Sequence, residues 1–136
     1  MSVPVPQRGE GKLEVNTLAK DLVVYTLKIT ANKNVFTEDQ DYFIQRLNDT
    51  VVSIHLQCWR ANNIKVGDNE QRYKDRIELQ ACNDMEALIE IAKPLFHLRS
   101  DRVSYWTTKV TTLRNKIRSW KESDVQRLKP KDIEEM

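Results

Sequence analysis

The fold is decided by residues 100–128, which read SDRVSYWTTKVTTLRNKIRSWKESDVQRL. Large apolar residues recur in this stretch at alternating steps of three and four, the spacing that places side chains along one side of an α-helix. These residues are Val103, Trp106, Val110, Leu113, Ile117 and Trp120. Because one helix cannot bury such a seam alone, the rest of the chain must supply partner helices.

Length and composition indicate one small globular domain. The chain has 136 residues, of which 40% are hydrophobic and 31% charged, and it contains three glycines and four prolines. A chain of this length buries about two thirds of its unfolded surface on folding, and the low glycine content favours helices over a turn-rich sheet. Two cysteines, Cys58 and Cys82, are too few for a disulfide scaffold. No apolar run approaches the roughly 20 residues of a membrane span, so we expect a cytoplasmic protein.

The first two of three further amphipathic segments lie in the N-terminal half of the chain. We expect helix 1 to start after Asn16 and to end near Asn32, and helix 2 to run from a capping box at Thr37 and Gln40 to about Lys65. The expected inner face of helix 1 holds Leu18, Leu22, Tyr25 and Ile29. That of helix 2 holds Phe43, Leu47, Val51, Ile54, Cys58 and Ala61.

The third segment follows a predicted break in the helical pattern at Gly67, and we expect its helix to kink or end at Pro94. Its expected inner stripe is Tyr73, Ile77, Ala81, Leu88, Ile91 and Leu95. The last helix then starts at Ser100 and is closed by Pro130. Four helices with short links predict an all-α protein, an antiparallel up-and-down four-helix bundle forming a single domain over residues 13–129. Residues 1–12 have no apolar period and are expected to form a flexible arm, and residues 130–136 an acidic tail.

Some apolar residues fall outside these inner faces. On helix 2, Val52, Leu56 and Trp59 share a stripe nearly opposite Ile54, and helix 1 adds Val24 and Leu27. We expect this group to be an interface with another subunit or a partner, because grouped exposed apolar residues mark such surfaces; the alternative is a wide core that absorbs them. For Ile89 and Phe96 of helix 3, both interpretations stay open.

Positive charge is concentrated in the last helix. Residues 1–98 carry 12 Lys and Arg against 14 Asp and Glu, whereas residues 99–131 carry 10 against 3. Two basic rows flank its seam, and its outer face is rich in hydroxyl groups. The rows are Arg102, Lys109 and Lys116 on one side and Arg114, Arg118 and Lys121 on the other.

Such a face could bind a phosphate backbone through hydroxyl and cationic donors. The alternative is that the rows solvate the bundle or pair with acids of helices 2 and 3. The sequence shows no aromatic platform for base stacking outside the predicted core, so binding is expected to be directed at the backbone and sensitive to salt.

Motifs for catalysis are absent from the sequence. His55 and His97 lack the spacing of metal ligands, and no glycine-rich phosphate loop, nucleophile elbow or Cys-x-x-Cys motif occurs. Asp84 falls within the apolar stripe of helix 3, where we expect it to be buried with a polar partner across the bundle. A structural network there is favoured over a small enzyme using Asp84 and a histidine. No catalytic residue, metal or cofactor is predicted.

Two strings carry a family resemblance. They are DNEQRYKDRIELQACNDMEALIEIAK at residues 68–93 and YWTTKVTTLRNKIRSWKESD at residues 105–124. With the opening Leu13–Val15 and the end of helix 2 at residues 60–63, they resemble the bacterial four-helix-bundle family of accessory variability determinant (Avd) proteins of diversity-generating retroelements. The wider group includes the S23-like proteins encoded in intervening sequences of 23S rRNA genes.

This resemblance implies a homopentamer whose basic surface engages a reverse transcriptase and its template RNA to support mutagenic cDNA synthesis. The basic positions that it implies are Arg72, Lys74, Arg76, Lys109, Arg114, Lys116, Arg118 and Lys121. We therefore expect a non-catalytic, RNA-binding accessory protein with Arg102 added from the helix 4 rows. The alternative is a protein–protein interaction scaffold of the S23-like group without a nucleic-acid role.

Overall fold

Four helices make up the fold in the part of the chain that the structure describes. The structure is a computed structural model that describes the backbone of residues 4–62 and 79–135 and the side chains of residues 14–61 and 80–122. The helices are α1 (Pro4–Ala31), α2 (Asp41–Asn62), α3 (Leu79–Leu95) and α4 (Ser100–Glu135), and no strand occurs in these ranges. The predicted all-α four-helix bundle is confirmed.

Each helix packs against two others. α1 contacts α2 and α4, and α3 contacts the same two helices, whereas the diagonal pairs make no close backbone contact within the described ranges. The contacts between α1 and α4 run in opposite chain directions, since Glu14 pairs with Lys116 and Tyr25 meets Tyr105. The helices therefore form a square, up-and-down arrangement around one core.

The centre of the core is the seam predicted for α4. Trp106, Val110, Leu113 and Ile117 are fully buried there. The Trp106 indole Nε1 donates a hydrogen bond of 3.0 Å to Thr26 Oγ1 of α1, so its polar atom is satisfied in the interior. Phe36, in the link between α1 and α2, is also fully buried, and its ring centroid lies 4.4 Å from that of Phe96. This link therefore closes one end of the bundle, which the sequence did not predict.

The inner face of α3 differs from the predicted stripe. Ile89 and Phe96, whose position the sequence left open, are both buried, whereas Ile91 is 51% exposed. Leu88 and Leu95 are only partly buried. Both stripes have helical spacing and share Ala81, which is buried as predicted. α3 presents the stripe that also contains the small residues Cys82 and Ala92, which permit close approach to α2 and α4.

Three predicted helix ends are wrong. α1 begins at Pro4 and not after Asn16, so residues 4–12 of the predicted arm are helical; a proline fits the first turn because its missing N–H has no intrahelical acceptor there. α2 begins at Asp41, where the Gln40 carbonyl accepts the first bond from Ile44, and not at Thr37. α4 continues through Pro130 to Glu135, since a proline removes one hydrogen bond without always ending a helix.

The turn from α3 to α4 lies where the sequence predicted it. After Pro94, α3 ends at Leu95, and His97 adopts a left-handed backbone with φ 54°. The Leu98 N–H donates to the Lys93 carbonyl at 2.9 Å, the closing bond of a Schellman motif. The predicted end of helix 2 near Lys65, the break at Gly67 and the stripe positions Tyr73 and Ile77 lie outside the described residues.

Candidate interaction surfaces

Exposed apolar side chains lie along the groove between α1 and α2. Val24 and Leu27 of α1 and Leu56 and Trp59 of α2 are each at least 40% exposed, and Trp59 reaches 53%. Val52 is half-buried against the core. We call these five residues the α1/α2 surface. The structure thus places the predicted interface residues outside the core, with Val52 at its edge.

The register of the two helices brings these residues side by side. Thr30 Oγ1 of α1 lies 3.2 Å from Asn48 Oδ1 of α2. In antiparallel helices, moving one turn back from Thr30 and one turn on from Asn48 reaches Leu27 and Val52, and the next turn reaches Val24 and Leu56. The register therefore places Leu27 and Val24 of α1 at about the same levels of the bundle as Val52 and Leu56 of α2.

His55 borders the α1/α2 surface. Its ring centroid lies 6.4 Å from that of Trp59, and its Nδ1 is buried without a hydrogen-bond partner among the described residues. Partial burial, followed by the positive charge of Lys20, lowers the pKa of His55 below its ordinary value of 6.5. Both causes keep the imidazole neutral, so this edge of the patch carries no charge from His55 at neutral pH.

α4 provides the basic surface. Residues 102–121 contain six Lys and Arg and no Asp or Glu. Three of the six cations make contacts with neighbouring helices: Arg114 Nη1 lies 2.5 Å from Glu86 Oε1 and donates to Asn83 Oδ1 at 2.8 Å, and Lys116 Nζ lies 3.2 Å from Glu14 Oε1. Lys109 Nζ lies over the rings of two tyrosines. Part of the positive charge is therefore used to join α4 to α1 and α3.

The other predicted basic residues differ in their exposure. Arg118 is exposed, and Arg102 and Lys121 are half-buried. Arg72, Lys74 and Arg76 lie outside the described residues. Between the two basic rows, the outer face of α4 exposes Ser104, Thr108, Thr112, Asn115 and Ser119, as its hydroxyl-rich pattern predicted.

An exposed tyrosine, packed against a partly buried one, contradicts the expectation of no aromatic platform outside the core. Tyr105, at the start of α4, is 55% exposed, and its ring centroid lies 5.2 Å from that of Tyr25 at an interplanar angle of 67°. Tyr25 belongs to the predicted inner face of helix 1, whereas Tyr105 belongs to no predicted stripe. The exposure of Tyr105 could have been predicted from its position next to Trp106, which places its ring about 100° around the helix from the seam.

Asp84 is exposed, not buried as predicted. It accepts a hydrogen bond of 3.1 Å from Gln80 one turn earlier on α3. Since α3 buries Cys82 and Met85 instead, Asp84 faces solvent and requires no partner across the bundle.

The two cysteines are buried and free. Burial raises the pKa of Cys58 to about 12 and that of Cys82 to about 11, so both thiols are protonated at neutral pH and are poor nucleophiles. In the described ranges, no three potential ligands among His, Cys, Asp and Glu gather into a metal-binding group. No described helix is both long and apolar enough to span a bilayer.

These features define the class as an all-α four-helix bundle whose distinctive sites lie on its outer surfaces. Comparison with protein-family models, curated proteins and solved structures finds no match for this chain.

Proposed function

We propose that this protein is a non-catalytic accessory protein of a diversity-generating retroelement, similar to the Avd proteins. In this proposal it forms a homo-oligomer, a homopentamer by that resemblance, which binds the reverse transcriptase and the template RNA in the cytoplasm and supports mutagenic cDNA synthesis. The family part of the proposal is supported by the resemblance of residues 68–93 and 105–124.

The observation that carries the RNA-binding part is the absence of acidic residues from residues 102–121 of α4. This run of 20 residues carries six cations, and its outer face is hydroxyl-rich. A phosphate backbone is recognised by such donors, and copies of one weak site in an oligomer add through multivalency.

Salt dependence of RNA binding tests this part. Each phosphate contact to single-stranded RNA contributes about −0.7 to the slope of log affinity against log salt. We expect Arg118→Gln to reduce the slope measured by fluorescence anisotropy by about 0.7, because Arg118 is exposed on α4. The matched control, Arg46→Gln, removes an exposed cation outside α4 and should leave the slope unchanged. Equal effects of the two variants would contradict an RNA site on α4.

The assembly part is carried by the α1/α2 surface. Leu56 and Trp59 expose apolar area that a single bundle leaves in water, and burial of such area drives association. We expect Trp59→Glu to reduce the mass measured by light scattering from that of an oligomer to that of one 16.0 kDa chain. Ile91→Glu is the control, because Ile91 is equally exposed but lies on α3, outside this surface. A wild-type protein that is monomeric at high concentration would refute the assembly.

A second candidate is a protein–protein interaction scaffold without a nucleic-acid role. It is favoured by the pairing of Arg114 with Glu86 and of Lys116 with Glu14, which neutralises part of the α4 charge within the bundle. Oligomerisation together with no salt-dependent RNA binding would favour this candidate. Co-purification of the protein with a diversity-generating retroelement reverse transcriptase and template RNA would favour the first.

A further inference from the structure

Two tyrosines and a lysine form a fixed cluster where α1 meets the start of α4. The Tyr25 and Tyr105 rings pack edge to face, and Lys109 Nζ lies 5.6 Å from the Tyr25 centroid and 4.9 Å from the Tyr105 centroid. Lys109 is one turn after Tyr105 on the same helix, so the helix itself holds the cation over the ring. Lys109 takes up part of one face of the Tyr105 ring, and the 55% of the side chain that stays exposed is the part that a ligand can reach.

The same place carries two arginines. A depression of about 350 Å³ is lined by Tyr25, Arg99, Asp101, Arg102 and Tyr105. Arg99 Nη2 lies 3.0 Å from Asp101 Oδ2, and both side chains are largely exposed. Exposed ion pairs of this kind contribute little to stability, so a phosphate can take the place of the Asp101 carboxylate on Arg99.

The polar surface continues beyond this depression. A second depression shares Arg99 and Arg102 and extends across the two turns at this end of the bundle. Its polar lining includes Asn34, Thr37 and His97. Tyr105, the two arginines and the polar side chains of the turns therefore lie next to one another at this end of the bundle.

We propose that this end of the bundle binds single-stranded nucleic acid, with a base stacked on Tyr105 and neighbouring phosphates on Arg99 and Arg102. The inference rests on the proposed RNA binding and deepens it by naming the form of nucleic acid and the aromatic contact. Bases of a duplex are already stacked on one another and cannot reach the ring, whereas unpaired bases stack on exposed aromatic side chains. An acidic peptide would use the arginines but has no base to place on Tyr105.

The experiment compares a labelled single-stranded oligouridine with an RNA duplex of the same length by fluorescence anisotropy. Removing a stacking ring weakens binding by about tenfold. We expect Tyr105→Ala to weaken single-strand binding by that factor and Tyr105→Phe, which keeps the ring, to bind as the wild type. Neither variant should alter duplex binding. Tyr42→Ala, which removes an exposed tyrosine at the start of α2, is the matched control.

A second variant tests the phosphate contacts. Arg99→Gln with Arg102→Gln should reduce the salt slope for the single strand by about 1.4. Thermal melting by circular dichroism checks that each variant is folded.

Separate outcomes overturn the inference and the proposed function. Salt-dependent RNA binding that is unchanged in Tyr105→Ala, or weakened equally for the duplex, would overturn the stacking site and leave RNA binding by α4 intact. Displacement of the oligonucleotide by polyglutamate with the same dependence on Tyr105 would also overturn it, because the site would then select acidic chains in general. Absence of binding to either RNA would refute the proposed RNA binding and the stacking site together.

Discussion

The core around Trp106 and the α1/α2 surface around Trp59 place the same residue type in opposite surroundings. Trp106 is fully buried, and its Nε1 donates to Thr26, whereas Trp59 is 53% exposed beside other apolar side chains. The apolar area of Trp106 already stabilises the fold. About half of Trp59 remains exposed to water, and the burial free energy of that part is available for association. Helical periodicity predicts Trp106 in the seam of α4 and Trp59 opposite the inner face of α2, and the packing confirms both positions.

The largest expected effect separates these two tryptophans. Trp106→Ala should lower the free energy of unfolding by about 3–5 kcal/mol, because it leaves a cavity in the core. We expect this loss to be the same at every protein concentration in urea unfolding followed by circular dichroism.

Trp59→Ala should act differently. Its unfolding midpoint should fall below that of the wild type only at high protein concentration, where association stabilises the wild-type fold. A concentration-independent loss in Trp59→Ala comparable to that in Trp106→Ala would show that Trp59 belongs to the core and would remove the contrast.

A smaller effect is expected within the basic rows of α4. Arg114 is half-buried and bonds to Glu86 and Asn83 of α3, whereas Arg118 is exposed. Arg114→Met should therefore lower the free energy of unfolding by about 1 kcal/mol, the usual value for a partly buried polar contact. Arg118→Met should change it by less than about 0.5 kcal/mol. If both variants were neutral, Arg114 would not hold α3 and α4 together, and its charge would be open to ligands.

The smallest expected effect is a change in the pH dependence of stability caused by His55, at the edge of the α1/α2 surface. Because the pKa of His55 in the folded protein lies below its ordinary value of 6.5, the unfolded chain takes up the proton first as pH falls. The stability that His55 contributes is complete above about pH 6.5 and is lost as pH falls through its folded pKa. We expect the urea midpoint to fall more between pH 7.5 and pH 5 in the wild type than in His55→Gln. Identical decreases would show that His55 is not shielded by Trp59 and its neighbours.

Only part of the candidate sites could be predicted from the sequence. The exposure of Leu56 and Trp59 followed from their position opposite the inner face of α2, and the outer hydroxyl face of α4 followed from the same geometry. The contact between Tyr25 and Tyr105 could not be predicted, because the two residues are far apart in the chain and helical spacing within one segment does not show which residue of another segment it meets. The expected burial of Asp84 failed because it assumed the wrong stripe of α3.

By itself, the sequence determined that the chain forms amphipathic helices and that the seam of α4 is the centre of the core, because helical spacing is a local property. Only the tertiary structure decided which stripe of α3 is buried. Both contain large apolar residues, and the choice of Ile89 and Phe96 over Ile91 depends on how closely α3 can approach α2 and α4. It also decided which cations of α4 are held by Glu14 and Glu86, since the pairing of charges depends on the register between helices.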